Sequence, residues 1–324
     1  MKRYGTIRRP REAAEEQKRS CSTAALFMGK HALVLGGGGP VGIAWESGLL
    51  AGLAEAGLNL SDAAFIVGTS AGSVVGAQLA MARAPVALVE PFMSSDPAQQ
   101  PSSPSQLLGS AAPDLSPFFQ RMMQAMSSSI PAEQARADLG AWALQTKTIT
   151  EDAFIGSFVQ AIRDYPEGAW PDRFACTAVD TADGSFVLWN RESGVSLARA
   201  VASSCAVPGI FPPVTINGRR YMDGGIRSVN NADMAEGYGV VFVIAPAGAM
   251  AVPGMEAFRR RMEEELETVR ASGSRLELVG PDAASMAAFG FNLMDYTRRP
   301  AAAKAGYEQG KAAAAKLQLL WRAA

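Results

Sequence analysis

Gly68-Thr69-Ser70-Ala71-Gly72 sets a serine in a G-x-S-x-G pattern. Apolar residues precede it (Ala63-Ala64-Phe65-Ile66-Val67), and a run of helical character follows it over residues 73–81. Strand, tight turn and helix is the geometry that holds a serine at a strained turn with its hydroxyl presented for attack. Gly68 and Gly72 suit that turn, because a Cβ would crowd the close strand–helix packing. The chemistry this implies is nucleophilic acyl transfer. The alternative is a glycine-rich strand–helix turn with no reaction attached.

A serine hydroxyl attacks well only when a neighbour takes its proton. The usual neighbour is histidine, and the chain has one, His31. It stands at the start of the first expected strand, whereas the serine lies beyond the end of the next. In a parallel sheet that separation is about 13–17 Å for a strand of that length. A Ser-His-Asp triad is therefore disfavoured, and His31 reads as a surface or strand-edge residue. The best carboxylate is Asp223, in Tyr221-Met222-Asp223-Gly224-Gly225, after an expected strand over residues 218–222. An aspartate of ordinary pKa, about 3.9, is a weak base for a hydroxyl. It serves only in close contact with Ser70 in a poorly solvated site. Without that contact, Asp-Gly-Gly is a plain turn.

Acyl transfer also needs donors for the developing oxyanion. The run Gly36-Gly37-Gly38-Gly39-Pro40-Val41-Gly42 leaves a strand and opens a helix, where unpaired N–H groups and the positive end of the helix dipole are available. Pro40 fits a helix start. The same run has a second reading. Gly37, Gly39 and Gly42 spell G-x-G-x-x-G between strand and helix, a dinucleotide-binding fingerprint, with Asp62 as its acidic partner. That reading wants the acid at the end of the second strand, but Asp62 precedes that strand. It also leaves Ser70 and Asp223 without a role.

The elements around these residues form a strand–helix–strand–helix series: strand 32–35, helix 43–56, strand 63–67, helix 73–81. Such a series implies an α/β fold with a mainly parallel sheet. Residues 174–179 and 185–189 form an expected hairpin, 196–204 a short helix and 240–244 a buried strand. An amphipathic helix carries Met255, Phe258, Met262, Leu266 and Val269, residues 275–279 form a late strand, and a helix closes the chain over 301–321. The uncharged stretch 237–255 is broken by Pro246 and Pro253, so it reads as strand and loop rather than a membrane span. Residues 94–117 are rich in Pro and Ser, and Phe118, Phe119, Met122, Met123 and Met126 follow at helical spacing. Residues 94–150 are thus an expected lid insertion, the alternative being a core-packed helix.

The chain has 324 residues, 48% hydrophobic and 19% charged, which is enough for an ample core. Its net charge of −1 gives no electrostatic case for nucleic acid. Three cysteines, Cys21, Cys176 and Cys205, read as reduced thiols and a cytoplasmic setting. Residues 1–29 read as a disordered basic arm, with Met28 as the expected start of folded sequence, and residues 30–324 as a single domain.

The glycine run, G-x-S-x-G and Asp-Gly-Gly, in that order, together with residues 202–214 (Ala-Ser-Ser-Cys-Ala-Val-Pro-Gly-Ile-Phe-Pro-Pro-Val), resemble the patatin-like phospholipases. The resemblance covers about residues 30–245. It implies a three-layer α/β/α sandwich with a mainly parallel central sheet. It further implies a Ser-Asp dyad of Ser70 and Asp223, oxyanion donors at the backbone N–H groups of Gly37 and Gly38, and supporting roles for Gly36, Gly39, Gly42, Gly68, Gly72, Gly224 and Gly225. The implied reaction is hydrolysis of lipid acyl esters without metal or cofactor, with peripheral membrane contact through residues 94–130. Where the family usually carries Arg or Lys, this chain has Val41. That departure shifts the expected substrates toward neutral esters, lysolipids or acylglycerols, and keeps a catalytically inactive lipid-binding protein as an alternative.

Counting histidines yields a direct test. His31→Ala should leave the pH–rate profile of any hydrolytic activity unchanged; loss of a limb near neutral pH in that variant would restore a histidine mechanism.

Overall fold

The computed structural model describes residues 30–94, 112–127, 129–162, 169–247 and 256–322. The expected basic arm, Cys21, Met255 and most of the Pro/Ser-rich segment lie outside the described residues. The described chain begins with β1 (His31–Leu35), α1 (Gly39–Glu55), β2 (Phe65–Gly68), α2 (Ala71–Ala80) and α3 (Pro85–Met93). Three helices follow, α4 (Ser116–Ser127), α5 (Ala132–Gln145) and α6 (Glu151–Ala161). Next come β3 (Phe174–Asp180), β4 (Phe186–Trp189), α7 (Leu197–Ser204), β5 (Val214–Ile216), β6 (Arg219–Asp223) and β7 (Val240–Ile244). The last elements are α8 (Glu256–Ala271), β8 (Arg275–Val279), α9 (Ala283–Phe289) and α10 (Arg299–Trp321).

One sheet runs in the order β5-β6-β3-β2-β1-β7-β8, with β4 paired to β3. β3, β2, β1, β7 and β8 are mutually parallel, while β4, β5 and β6 join antiparallel. The central strands read as unbroken apolar runs because helices cover both faces. Alternation still sorts their side chains. Leu33, Leu35, Phe242 and Ile244 pack on one face with Trp45, Leu49 and Leu53 of α1. Ala32, Val34, Val241 and Val243 pack on the other with Leu266 and Val269 of α8. The result is the expected α/β/α sandwich.

Several boundaries differ from expectation. The first helix begins at Gly39 rather than residue 43, since Pro40 has a fixed φ suited to a first turn and no N–H to leave unpaired. α3, α5, α6, α9 and the three-residue β5 have no counterpart in the sequence reading.

α1 and α10 are joined along a glycine seam. A Cβ on Gly48 would fall 2.1 Å from the Ala303 carbonyl oxygen, and one on Gly306 would fall 2.3 Å from that of Trp45. Gly52 faces Tyr307 and Gly310 faces Leu49 in the same way, a register of two helices running in one direction. Backbone-to-backbone contact leaves no room for a methyl group. Gly306→Ala should therefore destabilise the protein by about 1–3 kcal/mol in chemical denaturation, as overpacked cores do. Gly156→Ala is the control with the opposite sign. That residue is exposed within α6 with open space at its Cβ, so the change should stabilise by roughly 0.5–1 kcal/mol.

Candidate active site

In the parallel part of the sheet, the chain leaves β1 toward β2 on one side, and β7 lies on the other. The carboxyl end of β1 is thus the topological switch point, where open α/β sheets place their ligand crevice. The glycine run occupies it, and the G-x-S-x-G turn occupies the neighbouring end of β2.

Ser70 lies between β2 and α2 with φ 52° and ψ −115°. A non-glycine residue there is strained, and surrounding structure must hold it. Its N–H donates to Ser204 Oγ at 3.0 Å. Its carbonyl accepts from Ser73 Oγ at 2.6 Å and from Cys205 Sγ at 3.2 Å. The clamp thus comes partly from the end of α7, within the stretch 202–214, and which of its atoms bond is not legible from residue types alone. Gly68 is the last residue of β2. Gly72 permits the close approach: a Cβ there would sit 2.1 Å from the Leu35 carbonyl oxygen.

Asp223 ends β6, opposite Ala178 of β3, and only 4% of it is exposed. Its Oδ1 accepts the Gly225 N–H at 2.7 Å within the short turn Gly224–Ile226. Burial pushes its carboxyl up to about 7, against the Gly225 N–H and the Ser70 hydroxyl, both of which favour the ionised form. The structure therefore brings Ser70 and Asp223 together. His31 lies at the other end of β1, where Nε2 meets the Trp321 carbonyl at 2.6 Å and the ring stacks on the Trp321 indole.

The glycine run corrects one assignment. The Gly36 N–H donates to Ile244 O at 2.9 Å and the Gly37 N–H to Val229 O at 2.8 Å. The Gly37 N–H, expected as an oxyanion donor, is therefore occupied, and Gly37 lies beside Ser70, where a Cβ would make ordinary contact with the Ser70 Cβ at 3.6 Å. Among the described residues the N–H groups of Gly38, Gly39 and Ala71 have no partner. Gly39 has φ 57° and rests on Leu293 and Met294, so residues 293–294, unnoticed in the sequence, support the loop. Gly42 N–H closes the first turn of α1 on Gly38 O at 2.7 Å. Val41 is fully buried in the core. Cys176 and Cys205 are free, and burial raises both thiols.

Asp62 lies in the short turn Leu60–Asp62 at the amino end of β2. The dinucleotide reading needs an acid at the carboxyl end, where Ser70 stands instead. Among the described residues, no group of three or more His, Cys, Asp or Glu is placed to hold a metal ion.

A family profile described as Patatin-like phospholipase matches residues 33–236. The chain belongs to the patatin-like phospholipase family. The matched span includes the glycine run, Ser70 and Asp223, and lipid ester hydrolysis is the family's general activity. Among solved structures the chain is similar to VipD from Legionella pneumophila, with 14% identity over 90% of this chain and 67% of that one, and a TM-score of 0.43. It is also similar to the type III effector protein ExoU, with 15% identity over 90% of this chain and a TM-score of 0.39. The chain spans 54% of that ExoU chain. No curated protein sequence matches.

The raised Asp223 carboxyl makes the site a measurable liability. Folding carries this group from an ordinary value near 3.8 to about 7, so its stability penalty is absent below the lower value and complete above the upper one. At ~1.4 kcal/mol per pH unit between the two, the penalty is about 4 kcal/mol. Asp223→Asn should therefore unfold at higher temperature than the wild type at pH 8, with the gap closing as pH falls toward 4; calorimetry across that range measures it.

Proposed function

We propose that this chain is a serine acyl hydrolase that cleaves carboxylic ester bonds of lipids through Ser70 and Asp223. The observation that carries the proposal is the desolvated Asp223 carboxyl, raised to about 7 beside the Ser70 hydroxyl, in a chain whose one histidine is at the far end of the sheet. A base of that strength has lost its proton in half the molecules near neutral pH and accepts a hydroxyl proton far better than an ordinary aspartate.

In this mechanism, Asp223 takes the Ser70 proton as Oγ attacks the ester carbonyl carbon. The carbonyl oxygen becomes an oxyanion and is received by the free N–H groups of Gly38 and Gly39, with Ala71 at the start of α2. Asp223 returns its proton to the departing alkoxide, leaving an acyl-enzyme on Ser70. A water molecule then adds to the acyl carbon, with Asp223 as base again, and Ser70 is released. No step needs a metal or cofactor.

Buried Val41 presents no cation to a head group, which favours neutral esters, lysolipids or acylglycerols as substrates. Met122 of α4 belongs to one buried apolar cluster with Leu139, Val179, Met222 and Ile226, close in sequence to Asp223, and α4 exposes Phe119 and Met123. That apolar face suits α4 as the wall that meets the acyl chain and the lipid surface. No described helix is long and apolar enough to cross a membrane.

A fluorophosphonate probe should label Ser70, as located by mass spectrometry. Ser70→Ala and Asp223→Asn should each lower p-nitrophenyl ester hydrolysis by on the order of 10³-fold. In the wild type, log kcat/KM should rise with unit slope and level off near pH 7, as Asp223 ionises. Full activity in Ser70→Ala would overturn the mechanism.

A further inference from the structure

Two buried polar side chains stand beside the glycine run with nothing to bond. Glu46, in the second turn of α1, is fully buried, and neither carboxyl oxygen has a hydrogen-bond partner among the described residues. Asn230, in the segment after Asp223, is 1% exposed, and its side-chain oxygen and nitrogen are equally unpartnered. Both flank Gly36. A Cβ on Gly36 would fall 2.3 Å from Asn230 Oδ1. The Glu46 carboxyl faces the Gly36 N–H, but that N–H is committed to Ile244 O at 2.9 Å. An unsatisfied buried polar group bears its full desolvation penalty with nothing in return. Four such atoms around one glycine, at the root of the oxyanion loop, call for a reason.

Donor chemistry narrows the reason. A carboxylate only accepts, so it can take the Asn230 N–H but leaves Asn230 Oδ1 without a donor. A carboxylic acid both donates and accepts, as a carboxamide does, so the two groups satisfy each other. We propose that Glu46 keeps its proton in the active enzyme and bonds Asn230, directly or through one enclosed water, forming a brace that fixes Gly36 and thereby aims the Gly38 and Gly39 N–H groups. Both are positioning residues, and their role rests on the acyl-hydrolase reading above.

The surroundings agree. Burial raises the Glu46 carboxyl well above the ordinary range, opposed only by the Gly36 backbone. α2 carries no charged residue, and Glu90 of α3 and Lys304 of α10 are exposed. Tyr307 and Lys311 of α10 pair with Glu55 at the other end of α1, and Arg299 lies against the rings of Phe92 and Tyr296. His31 is at the far end of β1. Among the described residues no cation acts on the Glu46 carboxyl, and ionisation would set a buried negative charge behind the donors that must receive the oxyanion.

The test uses the full chain and a soluble p-nitrophenyl ester across pH. Wild-type kcat should fall again on the alkaline side of the Asp223 limb. Glu46→Leu and Asn230→Leu should each lower kcat about tenfold or more, with KM within about twofold, because they displace donors that act only in the transition state. Glu46→Gln should recover most of that rate and abolish the alkaline fall, since a carboxamide satisfies Asn230 at every pH. Thermal unfolding gives a readout independent of turnover. A raised folded-state pKa means stability is lost as pH rises through it, so the wild type should lose stability on the alkaline side where Glu46→Gln does not. Retention of the alkaline fall in both rate and stability by Glu46→Gln, or wild-type kcat in Glu46→Leu, overturns the brace. Absence of ester hydrolysis in the wild type overturns the acyl-hydrolase reading instead, and the unfolding curves then decide the brace alone.

Discussion

The site depends on a buried polar junction under the turn that carries Ser70. Thr69, the residue before Ser70, shares a hydrogen bond with Thr177 of β3 at 2.9 Å. Asn231 donates from Nδ2 to Thr69 Oγ1 at 3.0 Å and to the Ser228 carbonyl at 2.7 Å. Asn231 adopts a left-handed conformation, φ 52°, which asparagine tolerates better than most residues. Three chain segments meet there: the exit of β2, the middle of β3, and the segment that follows Asp223. The junction extends outward to α8, where Glu265 accepts from Ser228 Oγ at 2.7 Å and from the Ala232 N–H at 3.3 Å. Arg261 on the same helix pairs with Glu265 at 3.2 Å, and Arg227 pairs with Asp233 beside it. A helix on the surface is thereby connected through fixed hydrogen bonds to the turn that carries the serine. In a low-dielectric interior such a network holds geometry firmly only when its members are satisfied. This one is satisfied at Thr69, Thr177 and Asn231, next to Ser70.

Firm geometry is needed because the site holds two unfavourable things at once. Ser70 occupies a strained backbone region, and Asp223 is a carboxyl removed from water. Neither would persist in a flexible loop. Both sit at strand ends, tied to a sheet whose two faces are closed by helices. The glycine seam between α1 and α10 contributes to the same end. It presses the helix that begins at the glycine run against its neighbour, backbone to backbone, so the start of α1 has little freedom to shift. Stability built into the core offsets strain concentrated at the site.

Much of this was legible in the residues. The elbow reads directly from Gly68 and Gly72 because two steric requirements, at strand end and helix start, fall at a fixed spacing. The misplaced histidine reads from counting alone. Asp223 was visible as a carboxylate after a strand, though nothing local fixes its distance to Ser70, since β6 joins the sheet antiparallel at β3. The occupied Gly37 N–H was not legible. Its acceptor, Val229 O, is far along the chain, and a run of glycines does not say which of its N–H groups the fold will use. α5 escaped notice for a different reason: it buries Ala135, Leu139, Gly140 and Ala143, mostly small residues that leave no apolar stripe. α3 carries Pro91 inside it, and β5 is three residues long, so neither announces itself by periodicity.

The proposed use of aspartate in place of histidine ties basicity to burial. An imidazole is a serviceable base near neutral pH even in water, so a histidine enzyme can leave its base solvated. A carboxylate gains strength only as water is withdrawn from it. Asp223 is buried and accepts one backbone N–H, from Gly225, and the residue before it, Met222, belongs to the apolar cluster that includes Met122 of α4. Each further donor or water would favour the anion and weaken it as a base. An apolar acyl chain laid over the site has the opposite effect, because it excludes water from the carboxylate at the moment the proton must move. A polar ester of the same reactivity would bring water with it and meet a weaker base. In the proposed mechanism a preference for lipid esters would thus arise partly from the base itself, in addition to any pocket that fits the chain.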